Sequence, residues 1–263
     1  MIKYLGILFR AIWYIVRVYP RLCRYANPKK KSKYSLDERY AFSHEVVKKV
    51  VKYLHVEFHV KGEENLPKDT NYLLLPNHQS NMDPLILLNL YDRDLSFIAK
   101  KEVEDFPLVN KVVIGIDGVL MDRKDIRSEV RAISKASEIL SSGKVVFAIF
   151  PEGTRSKDPN HTLLHFKPGA LKPAFNASKP IVPVAVYGGF RVLDKKLRMK
   201  RYPVQISFLK PIYPEEFENK TTSEVMEKVR SEVEAEVDIL RQNDKTLTQK
   251  YNKKGVNLDI KGI

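Results

Sequence analysis

The sequence has almost no cysteine: a single residue, Cys23, in 263. No internal disulfide can form, which fits a reducing compartment. It also lacks an apolar run long enough to cross a bilayer. The first 24 residues, MIKYLGILFRAIWYIVRVYPRLCR, are mostly apolar, but their longest uncharged runs are six residues, Tyr4 to Phe9 and Ala11 to Val16. A span needs about 20. A secretory signal peptide does not fit either, because Arg10 and Arg17 break the apolar stretch and no small-residue cleavage site follows. Missing too are a G-x-S-x-G elbow, which argues against a serine hydrolase, and any RNA- or DNA-reading signature, which argues against a nucleic-acid partner. His55/His59 and His161/His165 have the i, i+4 spacing of zinc ligands on a helix. Neither pair is H-E-x-x-H, and residues 55–59 read as strand, so no metal is expected.

Acidic residues are absent from one region in particular. Residues 1–34 hold nine Lys/Arg and no Asp/Glu, and residues 243–263 hold five Lys against two Asp, so the two ends carry +12 of the formal +14. A near-neutral body with a basic N-terminal arm suits an anionic membrane surface better than nucleic acid. On a helix, Lys3, Arg10, Arg17, Arg21 and Arg24 fall within an arc of roughly 60°, with Leu5, Leu8, Ile12, Ile15, Val16 and Tyr19 on the other side. Such a helix can lie in the membrane plane, its arginines reaching headgroup phosphates and Trp13 sitting at the interface. Pro20 is placed to end or kink it. Residues 27–33 read as a basic linker, and Ser35-Leu-Asp-Glu38 as a capping box opening a second helix to about Tyr53.

From Val56 onward strand and helix alternate. Strands are expected at Val56–Val60, Tyr72–Leu75, Leu95–Ala99, Gly118–Met121, Val145–Phe150, Ile181–Val186 and Val204–Leu209. Helices are expected from Pro84, over Asp125–Leu140 with Ile126, Val130, Ile133, Ala136 and Ile139 on the buried face, over Gly169–Ser178 and over Glu224–Leu240. Pro183, inside a strand, marks an edge or a bulge. The pattern predicts an α/β fold, a mainly parallel sheet flanked by helices, with an N-terminal two-helix membrane-associating motif and with ligand at the carboxyl ends of the strands. The expected division is a membrane-binding segment over 1–54, one main domain over 55–242 and a basic, flexible tail over 243–263.

Chemistry concentrates at the strand ends. In LLLPNHQSNMDP, Leu73 to Pro84, a histidine and an aspartate stand five positions apart after a buried strand and before a helix start. On one straight helix that spacing leaves the side chains about 140° apart, so a loop must bring them together. With six His and fourteen Asp in the chain, H-x4-D arises by chance about 0.3 times, and only its context carries weight. Phe150-Pro-Glu-Gly-Thr-Arg155 follows the most apolar strand and offers turn N–H groups with a guanidinium, a suitable cradle for phosphate.

NHQSNMD, GVLMDR, FPEGTRS and IVPV stand in the order and spacing of the four sequence blocks of the glycerolipid acyltransferases, and from about residue 55 to 215 the chain resembles that family. The resemblance implies the glycerolipid acyltransferase fold. It also implies transfer of an acyl group from acyl-coenzyme A or acyl carrier protein, with no other cofactor, to the sn-2 hydroxyl of 1-acyl-sn-glycerol-3-phosphate, giving phosphatidate at the cytoplasmic face of the cell membrane. Position by position, His78 would be the general base and Asp83 its orienting carboxylate, with direct attack on the thioester. Glu152, Gly153, Thr154 and Arg155 would bind the acceptor phosphate together with Lys100, and Gly118 and Arg123 would shape the acceptor site. Leu120-Met121 depart from the commoner aromatic and isoleucine of the second block, which bears on acyl or acceptor preference. Two alternatives stay open: the same chemistry on another lysophospholipid or lipid-linked acceptor, and a non-catalytic basic lipid-binding module.

Overall fold

Seven short apolar segments assemble into one sheet in the computed structural model, which describes residues 2–156, 158, 161–194, 197 and 199–251, with side chains from residue 12 onward. The strands are β1 (Val56–Lys61), β2 (Leu73–Pro76), β3 (Leu95–Lys100), β4 (Val119–Met121), β5 (Val146–Ala148), β6 (Ile181–Tyr187) and β7 (Tyr202–Phe208). Their order is β1-β7-β6-β2-β5-β3-β4, parallel throughout except between β6 and β7. The carboxyl ends of β2 to β6 therefore share one edge of the sheet. Every residue of β2, β5 and β6 is buried, as parallel strands covered on both faces must be.

The helices are α1 (Ile2–Ala26), α2 (Pro28–Lys31), α3 (Leu36–Tyr53), α4 (Asp83–Leu90), α5 (Pro107–Gly115), α6 (Ile126–Ser141), α7 (Lys172–Ala177), α8 (Pro214–Phe217) and α9 (Thr222–Tyr251). Alternation along the strands builds two cores. Leu74, Val146, Val182 and Val184 face a layer that includes Val18 and Leu22 of α1, Val46 and Val47 of α3, Ile86 of α4 and Val112 of α5. Leu73, Leu75, Phe147 and Ile181 face Ala136 and Leu140 of α6, Ala174 of α7 and Val229, Val233 and Val237 of α9.

Several expectations change here. The N-terminal helices are not set apart from the main domain. Helix α1 runs through Pro20 without ending, and Val18, Leu22 and Tyr25 are buried. Ser35 caps α3 by accepting the Glu38 N–H at 3.0 Å, but no reciprocal bond closes the box. The Glu38 carboxylate instead accepts from Tyr25 Oη at 2.7 Å and Arg21 at 3.3 Å, tying α1 to α3. Part of the basic linker is also structural, since Lys31 and Arg39 both pair with Asp117.

Pro183 is in a central strand, not at an edge. Its neighbours' bonding shows why it fits. Val184 O accepts from Asn77 on the β2 side, whereas Pro183 O accepts from Leu209, one residue beyond β7. The missing N–H thus lies on the β7 side, just past the last β6–β7 pair, Val184 with Phe208, and the ladder between β2 and β6 loses no bond. Helix α6 is rotated relative to the expected stripe: Ala132, Ala136 and Leu140 are buried, while Ile126 and Val130 are 74% and 64% exposed. The tail expectation fails from 243 to 251, because α9 continues to Tyr251 with Asp244, Thr248 and Tyr251 buried. Two polar residues stand in the continuing buried stripe and hide the periodicity. Residues 252–263 lie outside the described residues.

One layer contact predicts a pH effect. Burial, and Asp37 beside it at the start of α3, push the Asp94 carboxyl up to about 6. A carboxyl raised on folding contributes stability that is complete below its ordinary value near 4 and lost as pH rises through about 6. At pH 7.5 ionised Asp94 therefore costs stability, an effect softened by solvent. Asp94→Asn should raise the thermal midpoint at pH 7.5 by about 2 °C, with the gain fading as pH falls through 6 and absent near 4. Thermal scans across that range check this, and an equal gain at every pH would contradict it.

Candidate active site

The loop after β2 is held by side chains acting as backbone. Buried Asn77 extends the strand: Oδ1 accepts the Val186 N–H at 2.7 Å, and Nδ2 donates to Val186 O at 3.0 Å. His78 follows. Asp83, the first residue of α4, is fully buried, and its Oδ2 accepts from Gln79 N and Ser80 N, both at 2.7 Å, and from His78 Nδ1 at 2.9 Å. This turn is the bend that a five-residue spacing requires. With Nδ1–H directed at a carboxylate, the lone pair of His78 lies on Nε2. The imidazole packs on the Phe150 ring at 4.3 Å between centroids.

Glu152, expected among the phosphate ligands, has another job. It is buried, with Oε1 accepting the His78 N–H at 2.6 Å and Oε2 accepting the Leu164 N–H at 3.0 Å. Burial raises its carboxyl, opposed by those two N–H bonds. Both oxygens are committed, and a carboxylate repels phosphate, so Glu152 fixes the His78 backbone instead. Ser156 N adds a bond to His78 O at 3.2 Å. Gly153 is corrected in the same way: its φ of 66° makes the turn, and its N–H donates to Phe150 O at 3.0 Å, leaving none for a ligand. Gly118 lies at the opposite, amino end of β4. A Cβ there would stand 2.6 Å from Val113 Cγ1 and 2.8 Å from Val113 O, so this glycine closes the α5–β4 turn and does not shape the acceptor site.

The expected cations do converge on the carboxyl edge. Lys100 ends β3, Arg123 follows β4, and Arg155 follows β5 behind exposed Thr154. Crowding against neighbouring atoms lowers the Arg123 guanidinium, Arg155 nearby lowers it further, and Glu102 partly offsets both. Among the described residues none of the three has an ion-pair partner, whereas Lys101 lies 3.7 Å from Asp122. That contrast favours Lys100 over Lys101. Unpaired cations gathered from three strand ends form a site for an anion.

Sequence reasoning missed Gly189. A Cβ at that position would stand 2.6 Å from Asp83 Oδ1, a buried oxygen with no hydrogen-bond partner, and Gly188 N donates to Gln79 Oε1 at 3.3 Å. The Gly188-Gly189 pair directly after β6 was the available signal. His161 has its ring stacked on Phe190 at 3.6 Å, and burial, then Arg191, pull it down to about 4. Among the described residues no three His, Cys, Asp or Glu side chains gather as metal ligands.

On α1, Ile12, Trp13 and Val16 are 52%, 59% and 65% exposed, and Arg17 lies 5.7 Å from the Trp13 ring centre. Arg24 is exposed. Arg21, expected at the membrane, is instead bound to Glu38, and the side chains of Lys3 and Arg10 lie outside those described. No helix among the described residues is long and apolar enough to cross a membrane.

Comparison with known proteins follows the same residues. The sequence model of the family described as Acyltransferase matches residues 57–187. A probable 1-acyl-sn-glycerol-3-phosphate acyltransferase of Mycoplasma pneumoniae is 34% identical over 206 residues, 71% of this chain and 76% of its own length. A 1-acyl-sn-glycerol-3-phosphate acyltransferase of Borreliella burgdorferi is 35% identical over 128 residues, 49% of this chain and 50% of its own. The crystal structure of the 1-acyl-sn-glycerophosphate acyltransferase of Thermotoga maritima superposes with a TM-score of 0.67 at 30% identity, covering 91% of this chain and 97% of that one.

Proposed function

This chain belongs to the Acyltransferase family and is an O-acyltransferase, and from that premise we propose that it acylates the sn-2 hydroxyl of 1-acyl-sn-glycerol-3-phosphate, giving phosphatidate, with His78 and Asp83 as its base pair. The observation that carries the reading is the 2.9 Å contact between His78 Nδ1 and buried Asp83, on the same sheet edge as three cations that have no ion-pair partner among the described residues. A base beside an anion site suits an acceptor that carries both a hydroxyl and a phosphate.

In the proposed reaction His78 Nε2 takes the hydroxyl proton as the acceptor oxygen bonds to the thioester carbonyl carbon. The C–S bond then breaks, and the proton passes from His78 to the leaving thiolate, so that ester and free thiol are formed. Asp83 stabilises the imidazolium between the two transfers. Lys100, Arg123 and Arg155 hold the phosphate. The exposed Ile12, Trp13 and Val16 beside Arg17 and Arg24 support peripheral attachment to an anionic membrane, on the cytoplasmic face where acyl thioesters are made.

The test is transfer of a labelled acyl group from acyl-coenzyme A to lysophosphatidate in mixed micelles. Arg155→Ala should raise the acceptor KM about 10- to 100-fold, the loss of a charge-assisted contact, with kcat changed much less. Arg123→Ala should raise it about 10-fold. No product with lysophosphatidate but turnover of another lysolipid would move the acceptor assignment. A fall in kcat without a change in KM would remove the arginines from phosphate binding.

A further inference from the structure

We propose that the outer face of α6 is the docking surface for an acidic protein that carries the acyl thioester. This rests on the function proposed above and names the partner of that site. Ile126 and Val130 are one turn apart and are 74% and 64% exposed. They are two of the five apolar residues that the sequence pattern placed on one face; Ala136 is buried and Ile133 and Ile139 pack against the core as expected. Helix α6 buries Ala132, Ala136 and Leu140 and turns these two outward, leaving an apolar pair that no other element among the described residues covers. Two exposed β-branched residues side by side and rimmed by polar groups offer an apolar contact point, and the charges around them decide its use.

Charge says what kind of contact. Lys124 and Arg127 flank the pair, both exposed and without an ion-pair partner among the described residues, and Arg131 extends the row with Asp125 3.1 Å away. A basic, apolar strip of this size fits an acidic partner and a small, transient interface. Such an encounter suits a donor that must leave after each turnover.

Position identifies the partner's cargo. Asp122 N donates to Ser128 Oγ at 3.0 Å, which fastens the first turn of α6 to the carboxyl end of β4, on the sheet edge that holds His78. A carrier seated on Ile126 and Val130 sits at the mouth of the site. The bilayer is the poorer occupant. The exposed apolar residues of α1 belong to the layer packed on one face of the sheet, and α6 to the layer on the other. A membrane that receives Trp13 lies across the molecule from the outer face of α6.

The experiment compares palmitoyl-coenzyme A with palmitoyl-acyl carrier protein as donors to lysophosphatidate, using the full chain and the variants Ile126→Glu and Arg127→Glu. Both sites are exposed, and thermal midpoints matching the wild type check that the fold is intact. The expected result is a rise in carrier-protein KM of about 10-fold or more, with the coenzyme A KM within about twofold of wild type. The wild-type carrier KM should also rise as ionic strength increases from about 50 to about 300 mM. Equal effects on both donors overturn the proposal. So does a wild type that uses coenzyme A but not the carrier, which leaves the proposed function standing, whereas no transfer from either donor sinks both. Loss of liposome pelleting by Ile126→Glu assigns the face to the membrane, and a change in oligomeric state assigns it to a second copy. Either result overturns the carrier.

Discussion

His78→Ala is expected to lower acyl transfer by about 10³- to 10⁴-fold in kcat, with little change in the acceptor KM. A free alcohol is a poor nucleophile, and a positioned base contributes about 10² to 10⁴ in rate. This histidine is more tightly placed than most. Its ring is held by Asp83 and Phe150, and its backbone by Glu152 and Ser156. Asp83→Asn should cost a similar factor, since loss of the orienting carboxylate in a comparable pair costs about 10⁴. The same oxygen also accepts the Gln79 and Ser80 N–H groups, so the loop itself is expected to loosen. Steady-state rates and thermal midpoints separate the two effects. His78→Ala should keep its midpoint within a few degrees, and turnover left intact by that variant would end the base assignment.

Asp244→Ala is expected to destabilise the fold by about 3–5 kcal/mol, the cost of stranding a buried charge. Arg191 is completely buried, forms a two-pronged pair with Asp244, and rests against the Tyr187 and Phe190 rings. Gln205 also donates to Asp244, at 3.3 Å. Removing the carboxylate leaves the guanidinium with Pro203 O, 3.5 Å away, as its remaining hydrogen-bond acceptor among the described residues. The thermal midpoint should fall by roughly 10 °C. Replacing both partners, with Arg191→Met and Asp244→Leu, should recover most of the loss because no charge is then buried. Denaturant or thermal unfolding measures this, and a loss below about 1 kcal/mol for Asp244→Ala would mean that the pair behaves as a surface pair.

These two predictions differ in how visible their residues were. His78 and Asp83 were legible because a short apolar strand, a proline stop and a helix start stand in consecutive sequence, and those local signals dictate a strand–loop–helix turn. Arg191 and Asp244 are 53 positions apart, and nothing in either neighbourhood announces the other. The same limit explains the tail: Asp244 and Thr248 occupy stripe positions that local hydropathy reads as exposed, until Arg191 and the α9 backbone supply their partners.

The sequence by itself determined the alternation of strands and helices, the mainly parallel sheet, and the collection of the four blocks at strand ends, because periodicity and turn chemistry act over a few residues. Tertiary structure decided what each block residue does. Glu152 became a clamp on the His78 backbone and Gly118 a turn closure away from the site, while Arg155 stayed without an ion-pair partner among the described residues. It also decided which face of α6 is covered, since Ala132 and Ala136 let the helix pack closely and turned Ile126 and Val130 outward. A residue type states which bonds a side chain can make. Which of them it makes depends on the groups that other segments bring within about 3 Å, and those arrive only when the sheet has formed.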